Sequence, residues 1–559
     1  MMDRFAEVTK HRNHAIIRED VMYKRRRNMK RVCQVCTLVL IALVQAALPA
    51  AVSIDESVRY QTIEGLGAFM DVAPWKEKQG PFFIDVDLEA QGIYDTLVSE
   101  LGATFMRFDF VGHSGDDFLP SPGNYNHAAL SPRLHLMRKL LDAAARQREP
   151  LEFFASIFSP PGWMKDGGVT ACGVEASPSL SETTCKLSIG MEDEFAEYLA
   201  EFATTIGDST DLPLYALSIQ NEPAFSEPYA SCVYDGPRYR DVLKVVGSHF
   251  RGNGLNTRFF GAEHMSWAFP SGFEQAVRND AEALGYMHAW AVHGYTDGVE
   301  TDTGAYSGST PTDKPLWMTE TQGDAYGVGM TDWSGAMTLA GNLLSYLRDA
   351  RITGWTWGSV QHVCGAAGCE ETSDNSIGLL INGTPTDKYY VSRHFFRFIR
   401  PGARQIASSC DDNELDVVAF RHAENDCWTV VLRNSAGGAK TVDLSGAGIP
   451  GEWTMEVSTA STKRAQSTVG SSGISIPGTS VVTLVSGQYA HTEPVSAARH
   501  ARSPRAVRTA AAARMAGPSY SLSGRRIDSA RPGTRGVFVN RDGLHVIAGR
   551  RGRGGTLAH

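Results

Sequence analysis

Eight short apolar runs punctuate residues 53–400: "TIEGLGAF", "ATFMRFDF", "LEFFASIFS", "PLYALSIQ", "NTRFFGAE", "HAWAVHGY", "KPLWMTE" and "ITGWTWGS". Nothing else in the chain restricts its fold as much. Each run has the length of a buried strand. Between them lie amphipathic segments such as "EDEFAEYLAEFATTI", where Phe195, Leu199 and Phe202 recur at helical spacing beside acidic residues. Strands that alternate with helices run parallel, because each helix carries the chain back across the sheet. Eight such units predict an α/β protein built on a (β/α)8 TIM barrel, whose functional groups gather at the C-terminal ends of the strands. A doubly wound sheet is the alternative, but no Gly-rich phosphate fingerprint follows any of the runs.

After residue 400 the texture changes. Short alternating runs ("LDVVAFRH", "WTVVLRN", "WTMEVST", "SVVTLVSG") separated by Gly, Asn and Ser predict an antiparallel β-sandwich side domain over 401–487, to which residues 53–63 could add a strand. Residues 488–516 are rich in Ala, Ser and Arg without periodicity and read as a flexible linker. Residues 517–559 form a basic C-terminal module that resembles sorting or anchoring tails of exported bacterial proteins, with a plain basic tail as the alternative.

The net charge of −9 conceals basic ends, since residues 32–496 carry 30 Lys/Arg against 56 Asp/Glu. An acidic body argues against a nucleic-acid partner and favours a neutral ligand. Near the N-terminus, "KRRRNMKR" precedes an apolar run and small residues, the order of a secretory signal peptide, here assigned to 1–52 with cleavage within 46–53. "MKRVCQVC" from Met29 is already a normal start for such a peptide, so 1–28 reads as an upstream extension. The apolar run is too short for a stable transmembrane span. A secreted or cell-surface location, extracellular or periplasmic, is therefore expected, with contact to cell-surface or sorting machinery through the C-terminal tail. Export permits disulfides. Proximity in sequence pairs Cys172 with Cys185, Cys364 with Cys369 and Cys410 with Cys427, leaving Cys232 over; reduced buried thiols are the alternative for each pair.

Glu222, in "ALSIQNEPAF", stands just past the fourth run, and Glu320, in "KPLWMTE", ends the seventh. In a barrel both would open on one face. Two carboxyls about 5–5.5 Å apart are the equipment of retaining glycoside hydrolysis, one attacking the anomeric carbon and the other protonating the leaving oxygen. Either glutamate alone would more often be a turn or a solvated charge.

"GLGAFMD" (Gly65–Asp71), "FMRFDF" (Phe105–Phe110), "SPPGWMKDGG" (Ser159–Gly168), "LSIQNEPAF" (Leu217–Phe225), "VHGY" (Val292–Tyr295), "WMTETQGD" (Trp317–Asp324) and "YYVSRHFFRFIRPGAR" (Tyr389–Arg404) follow one another as in glycoside hydrolase family 30, which the chain resembles over Tyr60–Gly487. The resemblance implies a retaining β-glycosidase with Glu222 as general acid/base and Glu320 as nucleophile. It also implies that Arg107, a charge inside an apolar strand, bonds the nucleophile. Asn221 would bond the sugar 2-hydroxyl, and His293 and Tyr295, which close the sixth strand, would with Arg107 count among the substrate-binding residues, Tyr295 being able to donate to Glu320. Trp163 and Trp357 end the third and eighth strands and could offer an indole face to a sugar.

Other chemistries fit less well. "GHSGD" lacks the spacing of a nucleophile elbow, and no His pair or surviving Cys cluster has metal-ligand spacing, so neither metal nor cofactor is expected. The loop after the eighth run, "GSVQHVCGAAGCEETSDNS", has no Arg to grip a uronate, unlike that of the bacterial glucuronoxylanases of the family. The expected substrate is thus a polysaccharide or oligosaccharide, cut by an endo-β-xylanase or endo-β-1,6-glucanase type of activity. A glucosylceramidase-like β-glucosidase and a non-catalytic carbohydrate-binding protein are the alternatives.

Overall fold

The computed structural model describes residues 49–70, 92–109, 118–172, 185–226, 230–264, 271–294, 314–321, 332–362, 378–381 and 383–487, together with the backbone of four short strands between 519 and 547. The segment assigned to the signal peptide up to residue 48, the linker, Tyr295, Cys364 and Cys369 lie outside them.

Each of the eight runs supplies, to within one residue at an end, one strand of a closed parallel barrel: β2 (Gly65–Met70), β3 (Phe105–Asp109), β4 (Glu152–Ser156), β5 (Ala216–Ser218), β6 (Arg258–His264), β7 (Met287–Gly294), β8 (Leu316–Thr321) and β9 (Gly354–Gly358). Alternation of side chains divides the apolar residues into two layers. Phe105, Phe154, Ala216, Phe260, Ala289, Ala291 and Trp317 fill the barrel interior, with Phe105 stacked on Phe154 at 4.3 Å. Residues one step away along the strands, such as Met106, Phe153, Leu217 and Met318, pack outward against the helices. On the helix Glu192–Thr210, Phe195, Leu199 and Phe202 form the buried stripe that the spacing predicts. Beneath the interior aromatics, Glu64 accepts hydrogen bonds from Tyr215 Oη (2.9 Å), Trp317 Nε1 (3.1 Å) and Thr353 Oγ1 (2.9 Å), and His288 Nε2 lies 2.7 Å away.

The side domain is one continuous nine-stranded, mostly antiparallel sheet, whose strands at both ends contribute to a single apolar core containing Val52, Val442, Trp453 and Ile474. β1 (Ala50–Thr62) lies inside it, antiparallel to Arg404–Cys410 and parallel to Lys440–Ser445, and leads almost directly into the barrel. The side domain therefore begins at Ala50, three residues before the expected 52/53 boundary, and Val52 is fully buried. The two domains are also joined through the helix Asp387–Phe396. There Arg393 is paired with Glu456 (2.9 Å), and His394 lies 2.9 Å from both Thr483 Oγ1 and Ser458 Oγ.

Cysteine pairing agrees with the sequence reading only in part. Cys172 and Cys185 form a disulfide with their Cα atoms 5.4 Å apart, and Cys232 is a buried thiol. Cys410 and Cys427 are not bridged. Cys427 pairs across the sheet with His422, beside the Arg404 end of its neighbouring strand, whereas Cys410 is at the far end of that strand, roughly 20 Å away. Nearness in sequence did not survive the strand that separates them.

Lys388, on the same helix as His394, is almost fully buried, its Nζ 5.3 Å from the Trp357 ring centroid and without a hydrogen-bond acceptor among the described residues. Burial lowers its amine to about 7, against the opposing pull of Asp332. Because the unfolded chain holds this proton up to about pH 10.4, wild-type stability rises with pH between about 7 and 10, and the full cost of the buried charge is present below that window. Lys388→Met is expected to stabilise the protein by about 1–3 kcal/mol at pH 6.5 and by less at pH 9.5. Urea midpoints at the two pH values check it; a destabilised variant at pH 6.5 contradicts it.

The C-terminal unit, residues 497–559, contains two antiparallel strand pairs among its described residues, Ser519–Tyr520 with Arg526–Ile527 and Gly536–Asn540 with Gly543–Ile547. No helix among the described residues is long and apolar enough to cross a membrane.

Candidate active site

The C-terminal ends of the barrel strands bring three carboxylates together, and each stands at a break in regular structure. β5 is shorter than "ALSIQ" predicts and ends at Ser218; Gln220 Nε2 then donates to Phe158 O (2.7 Å) and Asn221 O (2.8 Å). Glu222 follows with φ 45, in the left-handed region that side chains other than glycine rarely occupy. The turn closes with Phe225 N–H donating to Glu222 O (2.9 Å), and Tyr234 N–H donates to Pro223 O (2.8 Å).

Glu320 depends on a bulge. Trp317 points into the barrel, so strict alternation would turn Glu320 outward. Against β7, however, Val292 pairs with Met318 while His293 pairs with Glu320, so Thr319 is an extra residue and Glu320 faces inward beside His293. A third carboxylate, Glu263, arises in the same manner. It is the residue interpolated in β6 between Ala262 and His264, with φ 59, and it is completely buried.

Arg107 links these groups from the second barrel strand. Its guanidinium is fully buried and forms a hydrogen-bonded ion pair with Glu320 through Nη1. It also donates from Nη2 to Asn221 Oδ1 (2.6 Å) and Glu263 Oε1 (3.2 Å), and from Nε to Ser156 Oγ (3.0 Å). Phe69 lies under its face at 4.6 Å. Ser156 Oγ in turn donates to Glu263 Oε1 (3.0 Å). His293 sits between two carboxylates, Nδ1 at 2.7 Å from Glu222 Oε1 and Nε2 at 3.4 Å from Glu263 Oε1.

Charge follows this geometry. Burial pushes the Glu263 carboxyl up, but Arg107 and His293 outweigh it and hold the group at about 2. Burial pulls the His293 ring down, yet the charge of Glu320 and the hydrogen bonds to Glu222 and Glu263 raise it to about 9. His293 is therefore an imidazolium at neutral pH.

Side-chain atoms of Glu222, His293 and Glu320 all lie within 4.8 Å of one another. Such a trio could also hold a metal ion, but Arg107 and the His293 cation already neutralise its carboxylates.

Several expectations need correction. His293 has no exposed surface and lies behind the carboxylates, so it does not face a substrate. Trp357 is 1 % exposed. Parity places it with Trp355 in the helix layer, while a side chain at Gly358 would meet Glu320 Cγ, so the intervening residues face the cleft instead. Trp163 is half-buried, with its Nε1 donating to Leu119 O (3.0 Å), and keeps an exposed part. Glu263 was absent from the candidates drawn from the sequence. The signal was present, since "NTRFFGAE" ends on a carboxylate just as the fourth and seventh runs lead into theirs.

The loop bearing Glu222 is braced by the loop after β4. Buried Lys165 donates to Thr170 O and Ser231 O, both at 2.6 Å, and Val233 N–H donates to Cys185 O (2.8 Å) beside the disulfide.

Residues 126–399 match the model of the glycosyl hydrolase family 30 TIM-barrel domain. The chain is 24% identical over 418 residues to an endo-1,6-β-D-glucanase of Neurospora crassa, covering 68% of this chain and 80% of that protein. It is 22% identical over 328 residues to the lysosomal acid glucosylceramidase of Mus musculus, covering 54% and 60%. Among solved structures, the catalytic domain of xylanase C from Talaromyces cellulolyticus superposes with a TM-score of 0.62 at 20% identity, over 78% of this chain and 99% of that one. Together with the closed barrel and its carboxylate cluster, this match identifies a glycosyl hydrolase family 30 TIM-barrel domain in the chain.

Proposed function

We propose that this glycosyl hydrolase cuts β-glycosidic bonds within a neutral polysaccharide by double displacement with retention, as an endo-β-1,6-glucanase or endo-β-xylanase. The observation that carries the reading is that a carboxylate oxygen of Glu222 and one of Glu320 lie within 4.8 Å of each other, close to the about 5–5.5 Å spacing of retaining pairs and short of the about 6.5–9.5 Å that inversion needs to admit water. Glu320 attacks the anomeric carbon while Glu222 protonates the leaving oxygen. Once the ester on Glu320 has formed, Glu222 takes a proton from the incoming water. Arg107 keeps Glu320 ionised as the nucleophile. Asn221, its Oδ1 occupied by Arg107, has its amide nitrogen to offer the sugar 2-hydroxyl. The strongly acidic body supports a neutral glycan over a uronate-bearing one.

Export by the N-terminal signal belongs to the same proposal, with cleavage before Ala50 so that β1 stays whole. Proton NMR of the first product from an aryl β-glycoside tests the reaction: the β-anomer is expected before mutarotation, and the α-anomer appearing first overturns the reading. Product sizing on β-1,6-glucan and xylan then identifies the polymer.

A further inference from the structure

We propose that Glu263 is a positioning residue that sets both reactive carboxylates at once, fixing Glu320 through Arg107 and, through His293, deciding which oxygen of Glu222 carries the catalytic proton. The inference rests on the roles proposed above for Glu222 and Glu320.

The geometry forms one chain of contacts: Glu222, His293, Glu263, Arg107, Glu320. Glu263 is its midpoint and has no exposed surface, so it does not touch substrate. A carboxylate held ionised by Arg107 can only accept hydrogen bonds, so His293 Nε2 must carry a proton toward it. With the ring also cationic, Nδ1 donates to Glu222 Oε1. That oxygen is then engaged as an acceptor, and the proton delivered to the glycosidic oxygen must sit on Oε2. If Glu263 lost its charge, His293 would lose one support for its cationic state. A neutral ring with a bare Nδ1 would accept the Glu222 proton and turn it away from the substrate.

Other groups around this centre do not supply the same support. Tyr239 is buried near Glu263 with its phenol raised by burial and by that carboxylate's charge, so it stays neutral. His264, lowered to about 3 by burial and by His293, is neutral too. Ser156 donates to Glu263 but carries no charge. Cationic contacts to Glu263 come from Arg107 and His293, the two side chains that lead to the nucleophile and to the acid.

Leaving-group dependence separates this role from a merely structural one. Departure of 2,4-dinitrophenolate needs no proton, whereas departure of 4-methoxyphenolate does. Glu263→Gln, assayed on the two aryl β-glycosides of one sugar, is expected to lower kcat about a hundredfold on the methoxyphenyl substrate and about tenfold or less on the dinitrophenyl one. Nitrogen-15 NMR of the imidazole should show His293 cationic at pH 7 in wild type and neutral in the variant. Equal losses on both substrates, with His293 still cationic, overturn the inference.

Should Glu263→Gln lack a cooperative melt, His293→Gln leaves the Glu263–Arg107 pair in place and carries the same comparison: selectivity against methoxyphenyl supports the role, and its absence refutes it. Glu320→Gly runs in parallel. If that variant keeps wild-type turnover, the proposed function itself fails; if it is inactive while the glutamine variants do not discriminate, only the role of Glu263 fails.

Discussion

Glu320→Gly is expected to lower kcat/KM on aryl β-glycosides by at least about 10⁴-fold, because it removes the carboxylate proposed to form the glycosyl ester. Glu222→Ala should behave differently. Removing a general acid costs about 10²–10⁴-fold where the leaving group needs a proton and little where it does not, and the second step, which needs the base, then limits turnover. Azide distinguishes the two by stereochemistry. In Glu320→Gly the small anion can enter the vacated space, attack directly and give the α-glycosyl azide. In Glu222→Ala it can intercept the ester on Glu320 and give the β-glycosyl azide. If both variants lose activity alike on all substrates and neither yields an azide product, the two assignments are wrong.

Arg107→Met should cost about 3–5 kcal/mol of stability at pH 7, because it leaves the fully buried Glu263 without its main cationic partner. The sign of its pH dependence is distinctive. In wild type Glu263 is held at about 2, below its ordinary value near 4.3, so the stability it contributes is complete above about pH 4.3 and is lost as pH falls toward 2. Without Arg107, burial dominates and the carboxyl moves upward. The variant then recovers stability on mild acidification, as Glu263 takes up a proton. Thermal melts at pH 7 and pH 5 should therefore show a gap between variant and wild type that narrows at the lower pH. A constant gap refutes this account.

How much of this was legible in the sequence depends on whether a feature follows the regular period. All eight barrel strands were, because each is an apolar run bounded by helical or turn signals. Arg107 stands out as a charge in an apolar strand, and residues 53–63 read as a strand that could add to the side domain, where β1 covers most of them. Misreadings arise where register departs from simple position. Trp357 ends a strand at the cleft, yet parity turns it into the helix layer. Glu263 ends its apolar run as a visible carboxylate, but the bulge with left-handed backbone that turns it toward the other two is not written in that run. Cys410 and Cys427 are close in number but not across the sheet. In each case the missing information was three-dimensional register, which a single sequence states weakly.

The position of β1 has a consequence for how the molecule comes into being. Ala51 N–H donates to Asp411 Oδ1 across 360 residues of chain, and the same strand lies against Lys440–Ser445. On the ribosome β1 must therefore wait for strands made after the whole barrel, so the side sheet cannot close while the barrel is being synthesised. Loss of the segment from Ala50 to Ser53 would divide the finished sheet between its strands at Arg404–Cys410 and Lys440–Ser445. Late closure leaves β1 without its sheet partners until the whole barrel has been made.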